Sequence, residues 1–376
     1  MKNDKTLFFF IGTEAELMKL FTTINRAKEE GYDCKIISSG QHDLSESPFL
    51  DLCNSKVDFD ILKELPKSKT ASSYLSWLIN VITKGKKVLM SYYNQYDISK
   101  CLMIVHGDTL STAVGAYLAK KLKMPYAHIE SGLRSFSFLS PFPEEIDRLY
   151  ASTHSVMNFC PGAFYTDYAA KKFKGKAIDT IYNTGIETLY HAIEANKDEQ
   201  HEVLTELNGK DYFLFMLHRQ ENLMSKKFLT KTVNEVIKLS KNIHCIFIFH
   251  SQTKDVMEKH GLLSQLESAP NVMVIPRQPY NDFIKLVNYS KFVVTDGCGN
   301  QQEFYYLGKP YLIMRTKVEK NSEGLEHNAK PFDGDFSNIT KFGVDYKKFT
   351  KGKVNPKVLP SGIVIDAIDD YFAKGK

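Results

Sequence analysis

Several features that would narrow the function of this 376-residue chain are missing from it. The six cysteines (Cys34, Cys53, Cys101, Cys160, Cys245 and Cys298) form no C-x-x-C pair, and no histidine cluster has zinc-ligand spacing. No metal site is therefore expected. No apolar stretch approaches the ~20 residues of a membrane span. The N-terminal run Leu7–Ile11 is too short for a signal peptide and ends in Gly12-Thr13 without a cleavage site. Neither sign of charge dominates: 49 Lys plus Arg against 44 Asp plus Glu leave +5, too little and too scattered for a nucleic-acid partner. The basic stretches Lys171–Lys176 and Lys347–Lys357 read as solvated surface. Short repeats, low-complexity segments and heptads are absent. Cysteines inside apolar strands behave as small hydrophobes, and the set points to a reducing, cytoplasmic setting.

What is present is an alternation of apolar strands and amphipathic helices. A hydrophobic content of 43% supports sizeable cores, and the length suits two domains. Residues 7–12 read as a buried strand. The spacing of Leu17, Leu20, Phe21, Ile24 and Ala27 predicts a helix over 14–30, stopped by Gly31, and 34–38 is the next strand. The pattern recurs at 102–130. A second series starts at 212–217 and continues with strands at 245–249, 272–275, 292–295 and 311–314. Such alternation implies parallel sheets covered on both faces, so the expectation is an α/β protein of two doubly wound, Rossmann-like domains. The boundaries are placed at 1–185 and 186–358, with the join between Gly185 and Asp211, near the polar stretch Asn196–Gln200.

Residues 103–148 hold the densest chemistry. A strand runs into a turn with His106, Gly107 and Asp108. A second buried strand ends at Glu130, and a loop then delivers Pro141, Pro143, Glu144, Glu145, Asp147 and Arg148. Open α/β sheets bind ligands at the carboxyl ends of their strands, and carboxylates there can move protons when their pKa values are tuned. Competing structural readings exist for several of them. Asp108 could cap the following helix, Glu145 reads as an ordinary first-turn acid, and His218 could be a satisfied core histidine. His106 and His128 serve to orient their neighbours.

These motifs carry a resemblance. His106-Gly107-Asp108-Thr109, His128-Ile129-Glu130-Ser131-Gly132-Leu133-Arg134 and Ser140-Pro141-Phe142-Pro143-Glu144-Glu145 closely resemble the UDP-N-acetylglucosamine 2-epimerase family. Gly12 to Lys19 is similar to its G-T-R-P-E-A-I-K start, and Gly40-Gln41-His42 to its G-Q-H. His218 to Asn222 is similar to H-R-R-E-N, and Asp296 to Pro310 to the D-S-G-G…L-G-K-P stretch. The resemblance implies a GT-B-like fold with the nucleotide sugar in the cleft between domains. It also implies a last helix, about 360–376, packed back on the first domain, and a homodimer. The implied reaction inverts C2 of UDP-GlcNAc to give UDP-ManNAc: the C2 proton leaves with UDP, a 2-acetamidoglucal forms, and UDP adds back. No cofactor is needed.

On the same resemblance Asp108, Glu130, Glu144 and His218 occupy catalytic positions, with none assigned as acid or base because close carboxylates titrate together. Lys19, Gln41, His42, Arg134, Arg148, Arg219 and His250 line the substrate. Gly297, Cys298, Gly299, Glu303 and Arg315 form the diphosphate and ribose side, with Gln301 nearby.

Departures from the family pattern cluster on that nucleotide side. Glu14 stands for an arginine, Ala15 for a proline, Gly297 for a serine, Cys298 for a glycine and Gln220 for an arginine. The stretch Arg315 to Ser322 and the segment Gly185-Ile186-Glu187 also differ. Lys19, Arg277 or Lys317 could supply the lost charge. Two variants of the reading stay open: a hydrolysing 2-epimerase that releases free ManNAc and UDP, and a GT-B glycosyltransferase. A non-catalytic nucleotide-sugar sensor is the third.

Overall fold

The computed structural model describes residues 2–61, 71–93, 95–134, 144–297, 299–315 and 327–374. The chain divides into two compact units, Met1–Thr188 with Pro356–Lys376, and Leu189–Asn355. Each is built on one parallel sheet.

The first unit holds seven strands: β1 (Thr6–Ile11), β2 (Asp33–Ser38), β3 (Phe59–Asp60), β4 (Cys101–His106), β5 (Tyr126–Ile129), β6 (Met157–Cys160) and β7 (Lys176–Asp179). They lie in the order β3-β2-β1-β4-β5-β6-β7. β1 and β4 are buried along their whole length, as their unbroken apolar runs require of central strands covered on both faces. Phe8, Phe10, Trp77, Met103, Val105 and Leu118 form the core on one face. The chain returns to the middle of the sheet between β1 and β4, so the loops after these two strands diverge there and leave a crevice at their carboxyl ends.

Helix Glu14–Glu29 begins immediately after β1. Thr13 caps it, its hydroxyl accepting from the Glu16 amide, while the Glu16 carboxylate reaches back to the Thr13 amide as the other half of a capping box.

The second unit holds β8 (Tyr212–Met216), β9 (His244–Phe249), β10 (Val272–Pro276), β11 (Val293–Thr295), β12 (Tyr311–Ile313) and β13 (Ala329–Pro331), in the order β10-β9-β8-β11-β12-β13. Its core is aromatic: Phe213 stacks on Phe292 at 5.0 Å, and Phe215 packs on Phe247. Here the topological switch falls between β8 and β11.

Helix Pro360–Ala373 belongs to the first unit. The Ser361 amide and hydroxyl donate to the two carboxylate oxygens of Glu187 at 2.6 and 2.7 Å, and Arg26 Nε donates to the Ser361 hydroxyl. The division between the units, Thr188 to Leu189, falls inside helix Gly185–Ala195. Glu187 and Thr188 are tied into the first unit, Thr188 through the Met18 carbonyl. Two residues on, the Tyr190 hydroxyl donates to the Val354 carbonyl of the second.

Among the described residues, no helix is long and apolar enough to cross a membrane, and no group of three or more His, Cys, Asp or Glu could hold a metal ion.

Candidate active site

The crevice at β1 and β4 gathers the residues that the motifs single out in the first unit. Gly107, at φ +72°, makes the turn after β4. Its amide donates to the Ile129 carbonyl, and its own carbonyl lies 2.7 Å from His128 Nε2. Burial pushes the His128 pKa down to about 4. The ring is therefore neutral at pH 7, with its proton on Nε2, and Nδ1 is left to accept from the Ser152 hydroxyl at 3.0 Å. His128 thus orients the Asp108 turn.

Asp108 is not a helix cap. Thr109 takes that position, its hydroxyl accepting from the Thr112 amide at the start of helix Leu110–Lys121. The Asp108 carboxylate instead accepts from Arg148 Nη2. Burial raises its pKa and Arg148 opposes the rise.

Glu130 follows β5 in the left-handed region, φ +67°, which is costly for a residue with a Cβ. Three groups converge on its Oε2: Lys19 Nζ at 2.7 Å, Asn183 Nδ2 at 2.5 Å and His106 Nε2 at 3.5 Å. Burial alone would raise this carboxyl. The Lys19 ammonium and the hydrogen bonds from Asn183 and Lys19 outweigh it and bring the pKa down to about 2. His106 is fully buried, its pKa is pushed down to about 3, and it is neutral at pH 7. Lys19 is therefore the cation that holds Glu130 ionised.

Glu144, Asp147 and Arg148 share one face of helix Glu144–His154, at i, i+3 and i+4. Glu145 is a first-turn acid of that helix, as expected, and it is fully buried: it pairs with Arg134 and lies 3.7 Å from Arg148. Arg134 also hydrogen-bonds the Tyr168 hydroxyl, and its guanidinium lies 5.3 Å from that ring. Its described partners are thus protein groups. The Gln41 side-chain oxygen accepts from the Ser111 hydroxyl at 2.5 Å, and the His42 amide donates to the Gly12 carbonyl, so the loop after β2 borders the same turns.

In the second unit the corresponding crevice lies at β8 and β11. Asp296 is fully buried, and its carboxylate accepts from the amides of His218 and Arg219 and from Asn222 Nδ2, at 2.9–3.1 Å. These three bonds fix the turn after β8. The His218 ring lies over Gly297, with Nδ1 3.6 Å from Asp296 and the His250 ring 5.2 Å away. Burial lowers the pKa of both histidines. Glu303 is buried beside Tyr280, whose phenol is pushed well up by burial and by that carboxylate. Arg315 lies 3.7 Å from Glu221. Gly299 is exposed. Pro141, Pro143, Cys298 and Lys317 lie outside the described residues.

A family model described as UDP-N-acetylglucosamine 2-epimerase matches residues 25–339, more than four fifths of the chain. The chain belongs to the UDP-N-acetylglucosamine 2-epimerase family.

Two curated relatives match part of the chain at 34% identity. One is a UDP-N-acetylglucosamine 2-epimerase homolog of Methanococcus maripaludis, aligned over 58% of this chain and 60% of that protein. The other is the UDP-2,3-diacetamido-2,3-dideoxy-D-glucuronate 2-epimerase of Pseudomonas aeruginosa, aligned over 58% and 59%. The chain thus spans about three fifths of the length of each of these two. The crystal structure of the Methanocaldococcus jannaschii UDP-GlcNAc 2-epimerase in complex with UDP-GlcNAc and UDP covers 97% of this chain and 99% of its own. Its identity is 26% and its TM-score 0.72. Two Rossmann-like units of the GT-B type are therefore the fold of this family member.

Three structural contributors carried no role in the sequence reading. Glu16 is buried and accepts from the Gly12 and Thr13 amides and the Thr109 and Thr112 hydroxyls, joining the β1 and β4 turns. Asn183 donates from Nδ2 to Glu130, and its Oδ1 accepts from the Gly185 amide. Asp296 organises the His218 turn. Glu16 carried a capping-box spacing from Thr13 and, like Asp296, lay within a family-like motif, whereas Asn183 lay in none of the quoted motifs.

Proposed function

We propose that this chain inverts C2 of UDP-GlcNAc, or of a related UDP-hexosamine, by elimination and re-addition of UDP. The observation that carries the reading is the unequal tuning of carboxyl groups around one crevice. Glu130 is held ionised, while burial raises Asp108. Neighbouring groups driven apart in this way can divide acid, base and electrostatic roles.

The C2 proton is not acidic, so its removal depends on departure of the anomeric diphosphate. Asp108 and Glu144 are the proton carriers in this reading. Glu130, tied to Lys19 and Asn183, supplies fixed negative charge that offsets positive charge developing at C1 as UDP leaves. His218, on the second unit, is assigned to the reaction by family resemblance. So are Arg219, His250, Gly297, Cys298, Gly299, Glu303 and Arg315 on the nucleotide, and Lys19, Gln41, His42, Arg134 and Arg148 on the sugar side. The Pseudomonas relative supports a substituted hexosamine as the alternative sugar. Family resemblance also supports a homodimer and a supply role in surface polysaccharide synthesis. A cytoplasmic setting is part of the same reading.

The test is incubation with UDP-GlcNAc in D₂O, followed by proton NMR. Deuterium at C2 with a UDP-ManNAc signal is the expected result. Free UDP and ManNAc would mark the hydrolysing reaction instead. No exchange and no product would exclude UDP-GlcNAc as substrate and direct the assay to substituted UDP-hexosamines and to transfer reactions.

A further inference from the structure

One buried acid in the first unit has no part in the reaction described above. Asp147 is only 6% exposed, and among the described residues its Oδ2 has no hydrogen-bond partner. The charges facing it are Asp108, from the turn after β4, and Glu144, one helical turn earlier. The nearest cation in sequence, Arg148, is committed elsewhere: it donates to Asp108 and to the Leu133 carbonyl and lies 3.7 Å from Glu145. Arg134 is paired with Glu145. Helix Leu110–Lys121, packed alongside, carries Lys120 and Lys121 in its last turn, and neither pairs with Asp147. Among the described residues, four carboxyl groups (Asp108, Glu144, Glu145 and Asp147) thus share two guanidinium groups.

That imbalance selects a protonation state. A carboxylate buried without a cation or a donor is strongly disfavoured, and like charges beside it add to the cost. Asp108 and Glu145 have their arginines. Among the described residues Glu144 Oε2 is also without a partner, but Glu144 is only half-buried while Asp147 is buried, so the proton belongs on Asp147.

Resting on the epimerase reading, we propose that Asp147 is a positioning residue of this site. As a neutral acid it holds the proton that keeps the charge between Asp108 and Glu144 low enough for an anionic leaving group to depart. Its ionisation adds negative charge beside them and slows turnover. Burial and the Asp108 and Glu144 charges push its pKa up to about 7.

Two measurements test this. The first is the pH dependence of kcat in the wild type and in Asp147→Asn, whose amide mimics the neutral acid. The wild-type kcat is expected to fall as pH rises through neutrality. The variant is expected to stay within about threefold of it at pH 6 and to lose that decline. An unchanged decline in the variant, or a folded variant inactive at every pH, overturns the proposal. The second is infrared titration of the free protein, which needs no turnover. A protonated-carboxyl band present at pH 6, titrating near neutrality and absent from Asp147→Asn, is expected, and its absence from the wild type also overturns the proposal. If the band is present but no UDP-hexosamine is converted, the proton assignment stands and the epimerase reading is what fails.

Discussion

A Cβ added to residue 297 would lie 2.3 Å from Cε1 of His218. The imidazole occupies the space that any side chain at this position would need. The sequence shows a serine replaced by glycine, which looks like a weakened phosphate loop. The structure gives the glycine a second purpose, as the floor under His218. Gly297→Ser is expected to keep the fold at a cost of about 1–3 kcal/mol, to displace the imidazole, and to lower turnover at least ~10-fold. Equilibrium unfolding and steady-state kinetics check both parts. A variant with wild-type turnover would show that the ring position is not needed.

Lys19 and Glu130 form the pair that sets the ionisation of the strand-end carboxylate. The folded pKa of Glu130 lies below its ordinary value, so the pair contributes stability that is fully present above the ordinary carboxylate range. That contribution is lost as pH falls towards about 2. Lys19→Met is expected to cost about 2–4 kcal/mol at pH 7, and the gap to wild type should narrow on acidification below pH ~4.5. Thermal unfolding across pH 2–8 measures it. A gap independent of pH would remove Glu130 as its source.

Glu16 accepts four donors from two different turns, and its amide counterpart cannot. Glu16→Gln turns an amide group towards donors and leaves at least one of them unpaired. The expected loss is about 2–3 kcal/mol with an unchanged urea m-value. Turnover should fall as well, because Thr109 adjoins Asp108. Loss of stability with full activity would separate this scaffold from the chemistry.

The proposed chemistry predicts the effect of four isosteric changes. Asp108→Asn, Glu130→Gln, Glu144→Gln and His218→Asn should each reduce turnover by ~10²-fold or more, with circular dichroism unchanged. Near wild-type rates in any two would sink the assignment.

The central strands were legible before any coordinates because parallel strands buried on both faces are continuous apolar runs, as in Leu7–Ile11 and Leu102–Val105. The turn residues at their ends were legible because carboxylates there have no packing reason. The short outer strands β3 and β7 were not. Phe59–Asp60 and Lys176–Asp179 carry no apolar run, because they sit at the two ends of the sheet order and are only partly covered. Glu145 and Asp147 show a different limit. Both follow Glu144 on one helix, and both are buried, yet one is ion-paired and the other unpaired.

By itself, then, the sequence determined the alternation that makes two parallel sheets, the motif residues at their carboxyl ends and the family. Those are local properties, written in periodicity and short spacings. Only the tertiary structure decided the charge states. Whether a carboxyl is ionised depends on burial and on partners brought from distant segments, such as Lys19 and Asn183 on Glu130, or Arg148 on Asp108. Strand order and side-chain packing, not sequence neighbours, place those groups within a few ångströms.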